Sequence, residues 1–284
     1  MTLSVIALSI GVTGVVLLSG VAHATWNAMA KSFSDQLVSF TLINVGVAGP
    51  CVAAVFFVGA PRRAAWAYLA AAVLCHLTYE AFLMAAYRHG SLSRSYPIAR
   101  GVAPVLATVG GVLIAHEHVG VVALLGVALV VVGISSLALR DREATSARAV
   151  GWALATGVAI ATYTVIDGLG VRASHSPLRY TVTLFAIQGT LFLVGALVRL
   201  PRGWWPAPRQ VATGVGAGVI SLVGYGAVLW AQARAPIGVV SALRETGVLW
   251  ATVFGVVIFS ERGGWRVVAS AAVVLAGVVT LVLA

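Results

Sequence analysis

The chain has 284 residues, 60% of them hydrophobic and 9% charged, with a mean hydropathy of +1.01. A soluble domain keeps about a quarter of its residues charged, so this composition rules out a water-facing globule and makes lipid the solvent. The net charge of +10 is carried by cations in separate connections, which fits membrane electrostatics and forms no continuous patch for a nucleic acid.

Ten apolar segments follow in chain order, each near the ~20 residues that span a bilayer. The first, 4–28, carries His23 and Asn27 four residues apart on one helix face. It has no basic n-region and is too long for an h-region, so it reads as a retained helix and not a cleaved signal. The second is 37–59 and contains Cys51; the third is 65–87 and contains Cys75, His76, Tyr79 and Glu80. The two cysteines have no metal-ligand or CxxC spacing and read as small core residues. The fourth, 94–115, places Tyr96 and Arg100 four apart, with Pro97 and Pro104 around the arginine. The fifth is 119–139, and the polar stretch 140–149 follows it. The sixth, 150–172, holds Tyr163 and Asp167, again four apart. The seventh (179–199) holds Gln188 and the eighth (210–233) holds Tyr225. The ninth, 237–259, follows Pro236 and holds Arg244 and Glu245; the tenth is 264–283. Pro97, Pro104 and Pro236 are expected to kink or open the fourth and ninth helices.

The two halves repeat. Gly20-Val-Ala-His-Ala-Thr-Trp26 matches Gly157-Val-Ala-Ile-Ala-Thr-Tyr163, and Arg100, Thr108, Gly111 and Glu117 fall at a constant offset from Arg244, Thr252, Gly255 and Glu261. Five helices per half is an odd number, so the second half enters the membrane in the opposite sense. The expected fold is all-α and integral to the membrane: ten transmembrane helices as two inverted five-helix repeats, 1–139 and 150–284, joined by a polar linker at 140–149. Such repeats commonly form a substrate site at their interface near the midplane.

Ionisable groups inside spanning segments cost several kcal/mol unless paired or hydrated, so they are candidates for function. His23, His76, Glu80, Arg100, Asp167, Arg244 and Glu245 meet that test. The i, i+4 pairs on four helices are explained by one shared water-filled cavity. Structural readings stand beside this one. Glu80 can pair with His76, the arginines with Glu245, Glu80 or Asp167, His23 can be a packing residue, and Asp167 can be interfacial. The His116-Glu-His118 triplet cannot close a metal site by itself, because neighbours on a turn do not converge. Glu117 and Glu261 read as favourable charges near helix N-termini.

The Gly-Val-Ala-x-Ala-Thr-aromatic repeat, Ser91 to Gly101 with Glu117, and Ala233 to Glu245 with Glu261 together resemble the drug/metabolite transporter superfamily in its ten-helix EamA-type branch. The resemblance covers essentially the whole chain and implies movement of small solutes. The Tyr96-Pro-Ile-Ala-Arg100 stretch is also similar to the third helix of small multidrug resistance proteins. The first-helix glutamate of those relatives falls on His23 here, a departure that weighs against a lipophilic-cation substrate.

The function expected on these grounds is secondary transport of a small zwitterionic or anionic metabolite, such as an amino acid or amino-phosphonate, by alternating access, as an exporter or exchanger. Substrate would be bound by Arg100, Arg244, Tyr96, Asn27, Tyr163, Glu245, Glu80 and Tyr79, with the guanidiniums on an acidic group and a carboxylate on an ammonium. His23, with an unperturbed pKa of about 6.5, and Asp167 are the candidate proton-coupling groups. No nucleotide-binding or hydrolase signature appears, so neither cofactor, metal nor catalysis is expected. The alternatives are a flippase for a lipid-linked sugar or phosphate and a multidrug-cation exporter. The expected partners are the substrate and the lipid of the inner cell membrane, the chain being a monomer or homodimer. Eleven cations lie in odd-numbered connections and five in even-numbered ones, which by the positive-inside rule sets both termini outside. The resemblance implies both inside.

Overall fold

The computed structural model describes residues 10–89, 92–138, 147–200, 204–250 and 265–284. Ten α-helices and no strand occur among them: α1 (Ile10–Lys31), α2 (Gln36–Val58), α3 (Trp66–His89), α4 (Leu92–Leu113), α5 (Val121–Ala138), α6 (Ala147–Ser174), α7 (Pro177–Leu197), α8 (Pro208–Gln232), α9 (Ile237–Arg244) and α10 (Trp265–Leu283). At ~1.5 Å per residue, most of them reach across a hydrocarbon core of ~30 Å. Five, namely α2, α3, α6, α7 and α8, are long and apolar enough to cross a membrane on their own composition.

The helix starts follow local chemistry. Asp35 caps α2, its carboxylate accepting from the N–H groups of Leu37 and Val38 at 2.8 and 3.3 Å. Ser176 caps α7 ahead of Pro177 at the first helical position. After α4 the chain turns back through His116, at φ 52°, and the Glu117 N–H donates to Gly111 O at 3.0 Å.

Three boundaries differ from the sequence reading. α6 begins at Ala147, inside the expected linker, because residues 147–149 continue its helix. Pro236 does not kink the ninth helix; it stands just before Ile237 as the cap residue. The ninth helix is also not continuous. It stops at Arg244, turns at Glu245 and Thr246, and is helical again from 247 to 250. Thr252, Gly255 and Glu261 lie outside the described residues, as does the side chain of Tyr96.

Packing obeys the repeat. Matching α1–α5 to α6–α10 in order, α2 packs on α7, α4 on α9 and α5 on α10, each helix against its own counterpart. α1 packs on α8 and, as the exchanged pair, α6 on α3. The chain is therefore two interlocked inverted five-helix units and not two separate bundles. Gly20 and Gly247 show how close the interlock is: a Cβ on Gly20 would lie 3.0 Å from Gly247 N, and one on Gly247 2.6 Å from Gly20 O. Outside, Phe56, Phe57, Leu74 and Leu197 are each more than 60% exposed. Side chains of that kind are costly in water and ordinary against lipid. The molecule is a multi-pass membrane protein.

Candidate functional site

A cavity of about 550 Å³, counted with its opening, lies between the repeats. Its wall includes Trp26 and His23 from α1, Phe40 and Asn44 from α2, His76, Tyr79 and Glu80 from α3, Tyr163 from α6, Phe185 and Gln188 from α7, and Tyr225 from α8. The lining residues come largely from the middle parts of these helices, so the cavity lies within the bundle.

Two carboxylates serve it differently. Glu80 is on the wall, where Asn44 Nδ2 donates to Oε1 at 3.2 Å and Gln188 Nε2 to Oε2 at 3.1 Å. Gln188 also donates to Asn44 Oδ1 at 3.2 Å, so α2, α3 and α7 meet in one polar triangle. Glu80 is thus held by amides and not by His76. Asp167 lies deeper and is fully buried. Its carboxylate takes Tyr180 Oη at 2.9 Å and Tyr225 Oη at 2.7 Å, and His76 Nε2 lies 2.8 Å away. Three polar partners are what a carboxylate in a low-dielectric interior requires. Far from being interfacial, Asp167 ties α3, α6, α7 and α8 together beneath the cavity.

Aromatic rings complete the wall. His76 stacks on Tyr163 with centroids 4.1 Å apart and meets Tyr225 edge-on at 5.5 Å. Tyr163 also meets Tyr79 edge-on at 5.4 Å. The Nε1 of Trp26 is buried and has no hydrogen-bond partner.

Arg100, Arg244 and Glu245 are not on that wall. They form a buried triad between α4 and the break after α9. Arg100 Nη1 donates to both Glu245 oxygens at 3.0 and 3.2 Å, and Arg244 donates through Nε and Nη2 to Oε1 at 3.2 and 3.0 Å. The two guanidiniums share this one carboxylate. Arg244 Nη1 is buried without a partner, as is the Ser241 hydroxyl three residues earlier.

At the end of the bundle that holds the α4–α5 and α8–α9 connections, Glu117 accepts from the Ile237 N–H at 3.0 and 2.9 Å and from Arg172 at 2.6 Å. It sits at the N-terminus of α9, as expected for a favourable charge there. Arg172 also donates to Gln232 O and Ala235 O, both at 2.9 Å. No group of three metal-ligating side chains occurs among the described residues.

Of the residues singled out by sequence, His23, Tyr79, Glu80 and Tyr163 come together on the wall, Asp167 lies beneath it, and Arg100, Arg244 and Glu245 form the triad. Asn27 turns to its own helix, donating to His23 O at 2.7 Å. Trp26, Phe40, Asn44, Tyr180 and Phe185 escaped the sequence reading. Rings in apolar segments look like core, and a lone asparagine or a tyrosine at a helix start carries no helical-spacing signal.

A ten-helix inverted repeat around a polar cavity, clad outside in apolar side chains, is a membrane transporter architecture. The EamA-like transporter family model matches residues 147–283, the second repeat. A solved crystal structure of a protein matches across 96% of this chain and 98% of that one, with a TM-score of 0.80 at 16% identity, a likeness of fold. No curated protein matches the chain significantly. The second repeat is thus similar to the EamA-like transporter family, and the chain as a whole shares the fold of that solved structure.

Proposed function

We propose that the chain is a secondary transporter for a small solute bearing an ammonium group, with an amino-acid-like zwitterion as its best-fitting substrate. The observation that carries this reading is Glu80 on the cavity wall among aromatic rings. A carboxylate beside Trp, Tyr and Phe faces attracts an organic ammonium through its charge and through cation–π contact, worth roughly 0.5–2 kcal/mol per ring. The orphaned Nη1 of Arg244 supports a second contact, to a carboxylate or phosphonate. A zwitterion spanning the two sites uses both charges.

Alternating access is the matching mechanism. The Glu117–Arg172–Ile237 lock ties α6, the α4–α5 connection and the start of α9 together at one end of the bundle. Opening of that side requires the lock to part, and the break at Glu245 is a natural joint for it. Export or exchange then depends on which gradient the membrane supplies.

The ring-rich wall also favours one other reading, a lipophilic cation held by Glu80 and the rings alone. A thermal-shift screen of the purified protein separates the two, because a bound ligand raises apparent stability by mass action. Amino acids, aminophosphonates, organic phosphates and benzyltrimethylammonium are compared on the parent, Glu80→Gln and Arg244→Lys. A zwitterion that stabilises the parent and neither variant supports the proposal. Stabilisation by benzyltrimethylammonium in the parent and in Arg244→Lys, with none by any zwitterion, supports the lipophilic-cation reading. Stabilisation by phosphates alone contradicts both.

A further inference from the structure

We propose that His76, with Asp167 as its fixed counter-ion, is the proton carrier that couples transport, and that a cationic group of the substrate displaces its proton. The inference rests on the reading of Glu80 as an ammonium site.

The hydrogen bonds fix the tautomer. Asp167 accepts the hydroxyl protons of Tyr180 and Tyr225 and is an acceptor throughout. His76 Nε2, at 2.8 Å from Oδ2, is therefore the protonated nitrogen of the neutral ring. That leaves the Nδ1 lone pair as the ring's remaining site. No hydrogen bond of the described residues engages Nδ1, and His76 is a wall residue. A proton arriving at Nδ1 makes an imidazolium already ion-paired to Asp167, with no rearrangement of the carboxylate. The stack on Tyr163 holds the ring plane in place while the charge changes.

The surroundings suit a carrier. From α6 the ring faces Asp167 and Tyr163, and from α8 Tyr225. From α7 it faces Phe185, with Tyr180 behind on the shared carboxylate. On α3 itself Glu80 lies one turn away and Cys75 adjoins; His23 of α1 lines the same cavity. Arg100 of α4 is bound to Glu245. Glu80 and His76 are i, i+4 on one face, so an ammonium at Glu80 stands beside the imidazolium and repels it. The proton leaves Nδ1 for solvent as the cation enters, and returns when the cation leaves. His23 lacks such a device, since its Nδ1 lies 3.2 Å from its own helix carbonyl, Ser19 O, and it has no carboxylate partner among the described residues.

Benzyltrimethylammonium tests the exchange, because it is permanently charged and carries no proton of its own. Full-length protein in weakly buffered detergent is titrated with it, and protons released per bound probe are read with a pH dye. The parent is expected to release about one proton per probe, and His76→Gln and Asp167→Asn close to none. The ratio does not depend on how tightly a variant binds. Binding by the parent with no release, or equal release from His76→Gln, overturns the inference. Absence of binding in the parent, for this probe and the amine panel alike, removes the ammonium reading instead. The coupling is then decided by ¹⁵N-histidine NMR of the ligand-free parent beside ligand-free Asp167→Asn, with His76→Gln assigning the ring. A His76 ring whose Nδ1 takes up no proton across the titration, or takes it up equally in Asp167→Asn, overturns it. Uptake at Nδ1 that is lost in Asp167→Asn sustains it.

Discussion

Arg100 and Glu245 are 145 residues apart in the chain and 3.0 Å apart in the fold. Their bond joins the fourth helix of one repeat to the break in its counterpart, and Arg244 shares the same carboxylate. All three side chains are under 5% exposed. Glu245→Gln removes the charged acceptor that the two guanidiniums share. Breaking a buried pair in this way costs about 3–5 kcal/mol, so the variant is expected to unfold at clearly lower temperature in detergent. Adding Arg100→Gln should recover part of the loss, because the two positions share one interaction. Thermal unfolding of both variants checks this.

Glu117 is expected to matter through the start of α9. Glu117→Ala removes the acceptor of the Ile237 N–H and the ion-pair partner of Arg172. A lost cap costs about 0.5–2 kcal/mol, with little added from the pair because Arg172 is about one-third exposed. Glu117→Gln keeps an acceptor and should lose less. Hydrogen exchange of the Ile237–Val240 amides should rise in Glu117→Ala and change little in Arg172→Ala.

Gly20 tests the interlock. Gly20→Leu forces a side chain against Gly247 N and Arg244 O, and overpacking of this kind costs about 1–3 kcal/mol. A Cβ at Gly151 meets nothing within 4 Å, so Gly151→Leu should change stability by no more than about 0.5 kcal/mol. Equal losses at the two sites would mean that α1 and the broken ninth helix are not in close contact.

Trp26 separates wall from core. Trp26→Phe keeps a ring in the cavity and removes an N–H that has no partner. Ligand-free stability should hardly change. The thermal shift given by a zwitterion should shrink if that N–H meets the substrate's acidic group.

The helical spacing of polar residues made much of this legible in advance. His76 with Glu80, and Tyr163 with Asp167, do share helix faces, and the constant offset between Arg100 and Arg244 foreshadows the α4–α9 pairing. Partner choice was not legible. Nothing in the spacing reveals that Glu80 takes Asn44 and Gln188, leaving His76 for Asp167, since those contacts join helices through tertiary packing. The break at Glu245 was hidden because residues 237–259 read as one apolar run, interrupted only by Arg-Glu-Thr. The sharing of one carboxylate by both arginines was hidden for the same reason. Their shared carboxylate is the residue next to Arg244, and i, i+1 neighbours do not face each other on a regular helix. They meet only because the helix turns there.

Glu80 carries the central claim, and counterflow into proteoliposomes loaded with a mixed amino-acid panel tests it most directly. The parent is expected to accumulate labelled amino acid against its unlabelled counterpart inside, and Glu80→Gln, equally well folded and reconstituted, to accumulate no more than empty liposomes. Accumulation by Glu80→Gln at the parent's rate would contradict the account, since the wall carboxylate would then have no part in holding the substrate.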